Sequence, residues 1–182
     1  MQVLHTVECI HEEKLRENHL LYLSQTDLLT HIYNRGHGEK AISELIEDKQ
    51  LGMFILFDVD KFKLVNDRYG HQIGDQVLIE VADALTKVIS EGDIVMRLGG
   101  DEFAAYFPNI KTKLEGEKLI QKIFAQIASI HISPMEESVS ISLGARFAKE
   151  TDNFDSVYKS ADDGVYASKN SKGSSFWFTA TE

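Results

Sequence analysis

The chain of 182 residues has one cysteine, two prolines and few cationic side chains, with 19 Lys and Arg against 29 Asp and Glu. A single cysteine excludes an internal disulfide bond and is consistent with a reducing compartment. No apolar run approaches the ~20 residues of a membrane-spanning helix, and the N-terminus lacks the basic and apolar regions of a signal peptide. We therefore expect a cytoplasmic chain with no membrane contact in this segment.

The net charge of −10 argues against a nucleic-acid partner, because such binding requires a basic stripe on the surface. It does not exclude a small phosphorylated ligand that is held through a metal ion. Apolar residues make up 43% of the chain and aromatic residues 9%, which favours a globular domain over a disordered chain.

Apolar periodicity predicts alternating helices and strands. The run MFILF at 53–57 indicates a strand buried on both faces, with Asp58 just past its end. Residues 93–98 and 102–107 indicate two strands joined by a tight turn at a Gly-Gly pair, because glycine accepts the positive φ angles of such turns. This order predicts an α+β fold, with a central, mostly antiparallel sheet flanked by helices in a ferredoxin-like arrangement. The 53–57 strand would lie beside the hairpin.

Residues 1–26 are rich in charged helix formers and contain no helix breakers, so they indicate an N-terminal leading helix. Their apolar residues fit a heptad only weakly. Two interpretations stay open: a solvated helix, or a connector that pairs chains or joins an upstream sensor domain. We divide the chain into a helical linker at 1–24 and one domain at 25–182.

Carboxylates follow two of the predicted strands in this arrangement. Asp58 follows the first buried strand, and Asp101 and Glu102 lie at the hairpin tip, so neighbouring strands would bring them to one sheet edge. Clustered carboxylates repel each other unless a cation intervenes, and Mg²⁺ prefers oxygen ligands. The backbone carbonyl of Val59 would add another oxygen. Acids that merely cap turns are the alternative, but the two motifs together favour a metal site.

These residues carry a resemblance to a known family. The stretch RLGGDEF at 97–103 resembles the signature of the GGDEF domain, the diguanylate cyclase family. DVDKFKLVNDRYGHQIGD at 58–75 agrees with the family pattern D-x-D-x-F-K-x-x-N-D-x-x-G-H-x-x-G-D at every defined position. DLLTHIYNR, SISLG and ADDGVYASK resemble further family segments, so the similarity covers about residues 25–179.

The resemblance implies an activity and an assembly. Family members condense two GTP molecules into cyclic di-GMP and release pyrophosphate, as the 3′-hydroxyl of one nucleotide attacks the α-phosphate of the other. Each subunit holds one GTP, so two subunits must face each other in a homodimer. The implied fold resembles the palm of polymerases and nucleotidyl cyclases.

The resemblance also implies a metal centre. Asp58 and Asp101 match the carboxylates that bind Mg²⁺ or Mn²⁺, with the Val59 carbonyl between them. Glu102 is implied either as a supporting ligand or as a proton acceptor, so Asp58, Asp101 and Glu102 are the candidate catalytic residues. The number of metal ions, one or two, stays open.

Nucleotide-binding residues follow from the same matches. Asn66 and Asp75 match the pair that reads guanine, whereas their local patterns alone favour a turn and the N-cap of a helix at 76–90. Phosphate is implied to contact the backbone at Phe62 and Lys63 and the side chain of Lys169. The glycines of the signature, Gly99 and Gly100, would let the backbone approach the nucleotide, and Arg97 would pair with Asp27.

The chain departs from the family pattern at three places. SKNSKGSS at 168–175 has its glycine one place late, so Gly173 occupies a basic position. The second phosphate-binding cation is therefore either missing or supplied by Lys172 from a shifted turn. Ser90 replaces the arginine of an inhibitory Arg-x-x-Asp motif, which predicts no tight product inhibition there. His31 replaces a glycine, for which we expect only local adjustment.

Three functions remain for comparison. An active diguanylate cyclase is favoured because the three acids are retained. The alternative is a catalytically weak GGDEF module that binds GTP or a partner protein as a signalling element. A cyclase that makes another cyclic nucleotide is disfavoured by Asp75, because its carboxylate accepts from two donors that guanine has and adenine lacks.

Overall fold

The computed structural model describes residues 14, 16, 20–169 and 173–179. Its helices are α1 (Arg35–Glu47), α2 (Phe62–Tyr69), α3 (His71–Thr86), α4 (Lys113–Ala128) and α5 (Phe154–Ser168). Its strands are β1 (Tyr33–Asn34), β2 (Met53–Val59), β3 (Ile94–Gly99), β4 (Glu102–Phe107), β5 (Ile141–Phe147) and β6 (Ser175–Phe178). Of the predicted leading helix at 1–26, residues 14, 16 and 20–25 are helical and Thr26 forms a β-bridge with Tyr33; its other residues lie outside the described ones.

The strands form one six-stranded sheet in the order β1-β3-β4-β2-β5-β6. Strand β2 is antiparallel to both of its neighbours, β4 and β5, whereas the outer pairs β1–β3 and β5–β6 are parallel. The α+β fold with a mostly antiparallel central sheet is therefore confirmed, and β2 lies beside the β3–β4 hairpin as predicted.

Helices cover both faces of the sheet, and β2 supplies apolar side chains to each. Ile55 and Phe57 pack with Val77 and Leu78 of α3 and with apolar residues of α4. Phe54, on the opposite face, packs with residues of α1 and α5. A strand buried on both faces loses its alternation of polar and apolar residues, which is why MFILF is a continuous apolar run.

Three predicted boundaries are wrong. Strand β2 runs on through Val59, because Asp58 still pairs in register with Glu102 of β4 and Ser142 of β5. The hairpin turn is formed by residues 100 and 101, since Gly99 ends β3 and a bulge shifts the register there. Helix α3 begins at His71, so the predicted start at 76 is five residues late.

Helix α5 lies unusually close to β5. A Cβ atom built on Gly144 would lie 1.8 Å from the Ala161 carbonyl oxygen and 2.7 Å from the Val165 nitrogen, both backbone atoms of α5. The sheet and helix touch here through their main chains, so any side chain at 144 would force them apart. This contact fixes the height of α5 above the sheet and hence the position of residues at its C-terminal end.

No helix in the described part of the chain combines the length and the apolar character that crossing a membrane requires.

Candidate functional site

The predicted carboxylates meet at one edge of the sheet. Asp58 and Glu102 are register partners on β2 and β4, and the Val59 N–H donates to the Asp101 carbonyl over 3.2 Å. A cleft of about 660 Å³ opens at this edge and is lined by Asp58, Val59, Asp60, Lys61, Phe62, Lys63, Asp101, Ser140, Lys169 and Gly173. Glu102 lines an adjacent cavity of about 130 Å³, which shares Asp58 and Lys169 with the cleft.

Asp58 and Lys169 form an ion pair at the centre of the site. Lys169 Nζ lies 2.5 Å from Asp58 Oδ2, and the Asp58 side chain is 15% exposed. Burial raises the pKa of Asp58, and the Lys169 hydrogen bond opposes that shift without overcoming it. The same hydrogen bond raises the pKa of Lys169. Asp58 Oδ1 is buried and has no hydrogen-bond partner within the described residues.

Glu102 shares the unfavourable electrostatics of Asp58. Burial raises the pKa of Glu102, and the negative charges of Asp101, Asp162 and Asp58 raise it further. Asp162, on α5, was not considered in the sequence analysis, because only the packing of α5 against β2 brings it near the hairpin. The site therefore holds more negative charge than Lys169 alone balances.

The donor set suits a hard divalent cation. Asp58 Oδ1 has an unused lone pair facing no protein donor among the described residues, and Asp101 lines the same cleft. Carboxylate oxygens around a partly open cleft are the ligands that Mg²⁺ takes when it also contacts phosphate. No group of three or more His, Cys, Asp or Glu side chains within the described residues forms a ready-made metal cage. Two carboxylates would leave the other coordination positions of such a cation to backbone, water or ligand oxygens.

Asp60 has a role that the sequence analysis missed. Its carboxylate accepts hydrogen bonds from Ser140 Oγ over 2.6 Å and from Ser142 Oγ over 2.7 Å, and its N–H donates to the Ser140 carbonyl. These bonds attach the loop after β2 to the start of β5. The alternation of serines in SVSIS at 138–142 is the signal that could have indicated a partner for this acid.

The hairpin tip is held by Arg97. Its Nε and one terminal nitrogen donate to the Gly100 carbonyl over 3.1 and 2.7 Å, and the other terminal nitrogen donates to Asp27 over 3.0 Å. The predicted pairing of Arg97 with Asp27 is confirmed. Burial alone would raise the pKa of Asp27, but hydrogen bonds from Thr30 and Arg97 outweigh it and keep that pKa below its usual value. Gly100 has a φ of +54°, as the tight turn requires.

The segment before β1 is attached to the same region. The Asn34 side-chain amide donates to the Ser24 and Thr26 carbonyls, and Thr26 forms a bridge with Tyr33. His31 has a φ of +60°, in the left-handed region that favours glycine. This conformation gives a physical reason for the glycine that the family pattern has at this position.

Arg97→Lys is expected to lower turnover about 10- to 100-fold with a smaller change in KM, because an ammonium replaces the planar fork that holds Asp27 and Gly100 together. The readout is pyrophosphate release from GTP, the activity that the resemblance implies. Arg35→Lys is the matched control, since Arg35 forms an exposed ion pair with Glu39 on α1. An equal loss in both variants, or no loss at Arg97, would contradict the prediction.

The predicted guanine-reading residues lie on adjacent helices. Asn66 is on α2, and its side chain lies against Gly74 of α3, the residue before Asp75. Asp75 is exposed inside α3 rather than at its N-cap, so the helix-cap alternative is wrong. Neither residue lines the 660 Å³ cleft. Phe62, which does line the cleft, is on the same helix as Asn66, and its ring end lies 3.3 Å from the position of a Cβ built on Gly74.

Three of the four residues predicted to contact phosphate lie in the part of the chain that the structure describes. Phe62 and Lys63 begin α2 and line the cleft, and no side-chain cap covers the first N–H groups of that helix. Lys169 lines the cleft from the end of α5. Lys172 lies outside the described residues, and Gly173 lies at the cleft.

The segment in which Ser90 replaces arginine forms a closed turn. The Ser90 N–H donates to Asp93 Oδ2 over 2.8 Å, and the Asp93 N–H donates back to the Ser90 carbonyl. Burial raises the pKa of Asp93 against the effect of that hydrogen bond. The Asp93 carboxylate thus accepts a hydrogen bond from the backbone of its own turn.

Comparison with known proteins gives one consistent result. The family model for "Diguanylate cyclase, GGDEF domain" matches residues 24–175. The probable diguanylate cyclase DgcJ of Escherichia coli K12 is 33% identical over 153 residues, which cover 82% of this chain and 30% of DgcJ. Diguanylate cyclase DgcM of the same organism is 31% identical over 172 residues, which cover 90% of this chain and 40% of DgcM. The chain thus spans less than half the length of either relative.

A solved structure has the same fold over nearly the whole chain. The coiled coil and GGDEF domain of DgcB from Caulobacter crescentus, in complex with c-di-GMP, superimposes with a TM-score of 0.81 at 27% sequence identity. The match covers 99% of this chain and 98% of the DgcB chain.

Proposed function

This chain belongs to the GGDEF diguanylate cyclase family, and we propose that it condenses two GTP molecules into cyclic di-GMP and pyrophosphate. One observation carries the proposal: Asp58, with its unpartnered oxygen, and Asp101 line a single cleft with the start of α2 and with Lys169. Carboxylates, helix N–H groups and an ammonium in one cleft suit a triphosphate with its cation. The product would serve as a signalling nucleotide.

We assign the metal ligands to Asp58, Asp101 and the Val59 carbonyl, with Glu102 as a supporting ligand or proton acceptor. When bound, Mg²⁺ or Mn²⁺ supplies charge neutralisation at the phosphoryl group and lowers the pKa of the attacking hydroxyl. Burial and three neighbouring acids raise the pKa of Glu102, which makes its carboxylate a stronger proton acceptor.

Lys169 has two partners in this proposal. In the structure its ammonium pairs with Asp58. With GTP bound, its ammonium would turn to the γ-phosphate, and the backbone N–H groups at Phe62 and Lys63 would donate to the β- and γ-phosphates. Lys172 would supply the second cation. The change of partner leaves Asp58 free to hold the metal ion as the triphosphate arrives.

Asn66 and Asp75 would read the base. A carboxylate at 75 accepts from guanine N1–H and from the exocyclic amine, and Asn66 donates and accepts at the remaining polar atoms. Adenine lacks that pair of donors, so it would leave Asp75 unpaired on binding. This assignment predicts preference for GTP over ATP.

The reaction requires two copies of the chain, because each would hold one nucleotide. Two domains with facing clefts bring the 3′-hydroxyl of one GTP to the α-phosphate of the other. In this proposal residues 25–182 form the catalytic domain, and residues 1–24 connect it to a second chain or to an upstream sensor domain. The initial rate should therefore rise more steeply than linearly with protein concentration.

A GGDEF module that binds GTP or a partner protein with little turnover is the second candidate. It is favoured by the departure after Lys169, where Gly173 stands in place of a basic residue. Loss of one charge-assisted contact would cost roughly 1.5–3 kcal/mol of binding free energy. That loss weakens GTP binding more than it impairs the chemistry.

One assay separates the two candidates. The chain is incubated with GTP and Mg²⁺ at high protein concentration, and pyrophosphate and cyclic dinucleotide are measured. Formation of both products supports the cyclase. Bound GTP without either product identifies the binding module, and the absence of GTP binding contradicts both candidates.

Added cyclic di-GMP is expected to leave the initial rate unchanged at low micromolar concentration, because Ser90 lacks the planar bidentate donor of arginine. Ser90→Arg is expected to introduce inhibition, since Asp93 is already in place at the other end of the motif. Initial rates against product concentration in both chains give the result. Tight inhibition of the unsubstituted chain would show that the prediction is wrong.

A further inference from the structure

Gly74 occupies a tight space between α2 and α3. It is buried, and a Cβ built on it would lie 2.0 Å from Asn66 Oδ1, 3.0 Å from Asn66 Cγ and 3.3 Å from Phe62 Cζ. Phe62 and Asn66 are four residues apart on α2, so they present one face of that helix to the Gly74 Cα. Residue 74 is therefore in contact with two residues of the proposed nucleotide site.

The glycine is not required by its backbone conformation. Residue 74 lies in the interior of α3 without a positive φ angle, and alanine is favoured over glycine in a helix. Glycine at 74 therefore makes α3 less stable than alanine would. It leaves room for the Asn66 amide, which would have to move if residue 74 had a Cβ atom.

Packing holds the Asn66 amide where it is. Within the described residues, no protein group hydrogen-bonds to that amide, so its polar atoms are free to contact a base. Its Oδ1 lies in the space that a residue-74 side chain would occupy, directly beside the backbone that carries Asp75. The absence of a side chain at 74 thus lets the Asn66 amide lie close to the backbone that carries Asp75.

We propose that Gly74 is a positioning residue that sets nucleobase specificity by letting the Asn66 amide lie close to Asp75. The proposal rests on the proposed function, because it assumes that Asn66 and Asp75 read guanine. A methyl group at 74 would push the amide outward and break the two-residue recognition of the base, while leaving the metal and phosphate contacts intact.

The test uses the full chain and 3′-deoxy-GTP, which lacks the attacking hydroxyl and so binds without turnover. Gly74→Ala is expected to weaken 3′-deoxy-GTP binding about tenfold and to leave 3′-deoxy-ATP binding unchanged, because only the guanine contacts are displaced. In the Asn66→Ala background, Gly74→Ala should have no further effect on 3′-deoxy-GTP binding. Calorimetric titration gives the dissociation constants, and circular dichroism checks folding.

Gly116→Ala is the matched control. Gly116 is also a buried helical glycine, and its added Cβ would meet Met53 Sδ at 2.7 Å, away from the nucleotide site. It should change the unfolding temperature and leave both nucleotide affinities unchanged. A loss of guanine affinity in both glycine variants would indicate a general packing effect and overturn the proposal.

Other outcomes of these binding experiments contradict either the positioning role of Gly74 or the proposed function itself. Binding of 3′-deoxy-GTP by Gly74→Ala at the unsubstituted affinity, or an undiminished loss in the Asn66→Ala background, overturns the positioning role alone. If the unsubstituted chain binds no 3′-deoxy-GTP, the proposed function fails and the positioning role fails with it. If Gly74→Ala does not fold, the double variant must fold, because it lacks the clashing amide; failure of both overturns the proposal.

Discussion

Asp101→Asn is expected to abolish cyclic di-GMP formation, lowering turnover by at least about 1000-fold, because the proposed metal site would supply several kcal/mol of transition-state charge stabilisation. Asparagine keeps the size of the side chain and removes its charge. The hairpin backbone is held by Arg97 through the Gly100 carbonyl, so the tip should keep its shape. Pyrophosphate release and cyclic dinucleotide formation measure the effect.

The control for Asp101 is Asp83→Asn, the same chemical change at an exposed position on α3. Its turnover should equal that of the unsubstituted chain. The unfolding temperature of Asp101→Asn should be unchanged or higher, because the substitution removes a negative charge that raises the pKa of Asp58 and Glu102. Turnover by Asp101→Asn within tenfold of the unsubstituted chain would exclude Asp101 as a metal ligand.

Gly144→Ala is expected to destabilise the fold by about 3 kcal/mol or more, because its Cβ would overlap the Ala161 carbonyl oxygen of α5. The backbone of β5 fixes the Cβ position and the carbonyl oxygen belongs to the backbone of α5, so no side-chain rotation relieves the overlap. For a chain of this size we expect the unfolding temperature to fall by about 6–12 °C. Thermal unfolding followed by circular dichroism gives the value.

Gly36→Ala is the matched control, and its expected effect on stability has the opposite sign. A Cβ at 36, in the first turn of α1, would meet only Asn34 Oδ1 at 3.7 Å, which is an ordinary contact. The substitution should stabilise the chain by up to about 1 kcal/mol through helix propensity. If the two alanine variants unfold at similar temperatures, the main-chain contact between α5 and β5 does not limit stability.

Much of the fold follows from local patterns. The run at 53–57 predicts a buried strand because only a strand covered on both faces is apolar throughout. Where that strand ends depends instead on its neighbours: Asp58 continues it because Glu102 and Ser142 lie opposite. Propensity places an acid outside a strand, and tertiary pairing overrides that preference.

The site is less predictable than the fold. The acids proposed to bind metal follow from the resemblance, because their motifs are local in sequence. The Lys169–Asp58 ion pair joins residues more than a hundred positions apart, and it depends on how closely α5 approaches the sheet at Gly144. The role proposed for Gly74 is also hidden in the sequence. A glycine inside a helix gives no local indication that the Asn66 side chain of another helix occupies the space beside it.

The Arg97 guanidinium connects the N-terminal helical residues to the loop that carries Asp101. Residues 20–25 lead directly into Asp27, and Asp27 shares this guanidinium with the Gly100 carbonyl. One planar cation therefore binds both the segment that follows these helical residues and the backbone next to Asp101. A displacement of Asp27 would act on the same guanidinium that holds the Gly100 carbonyl.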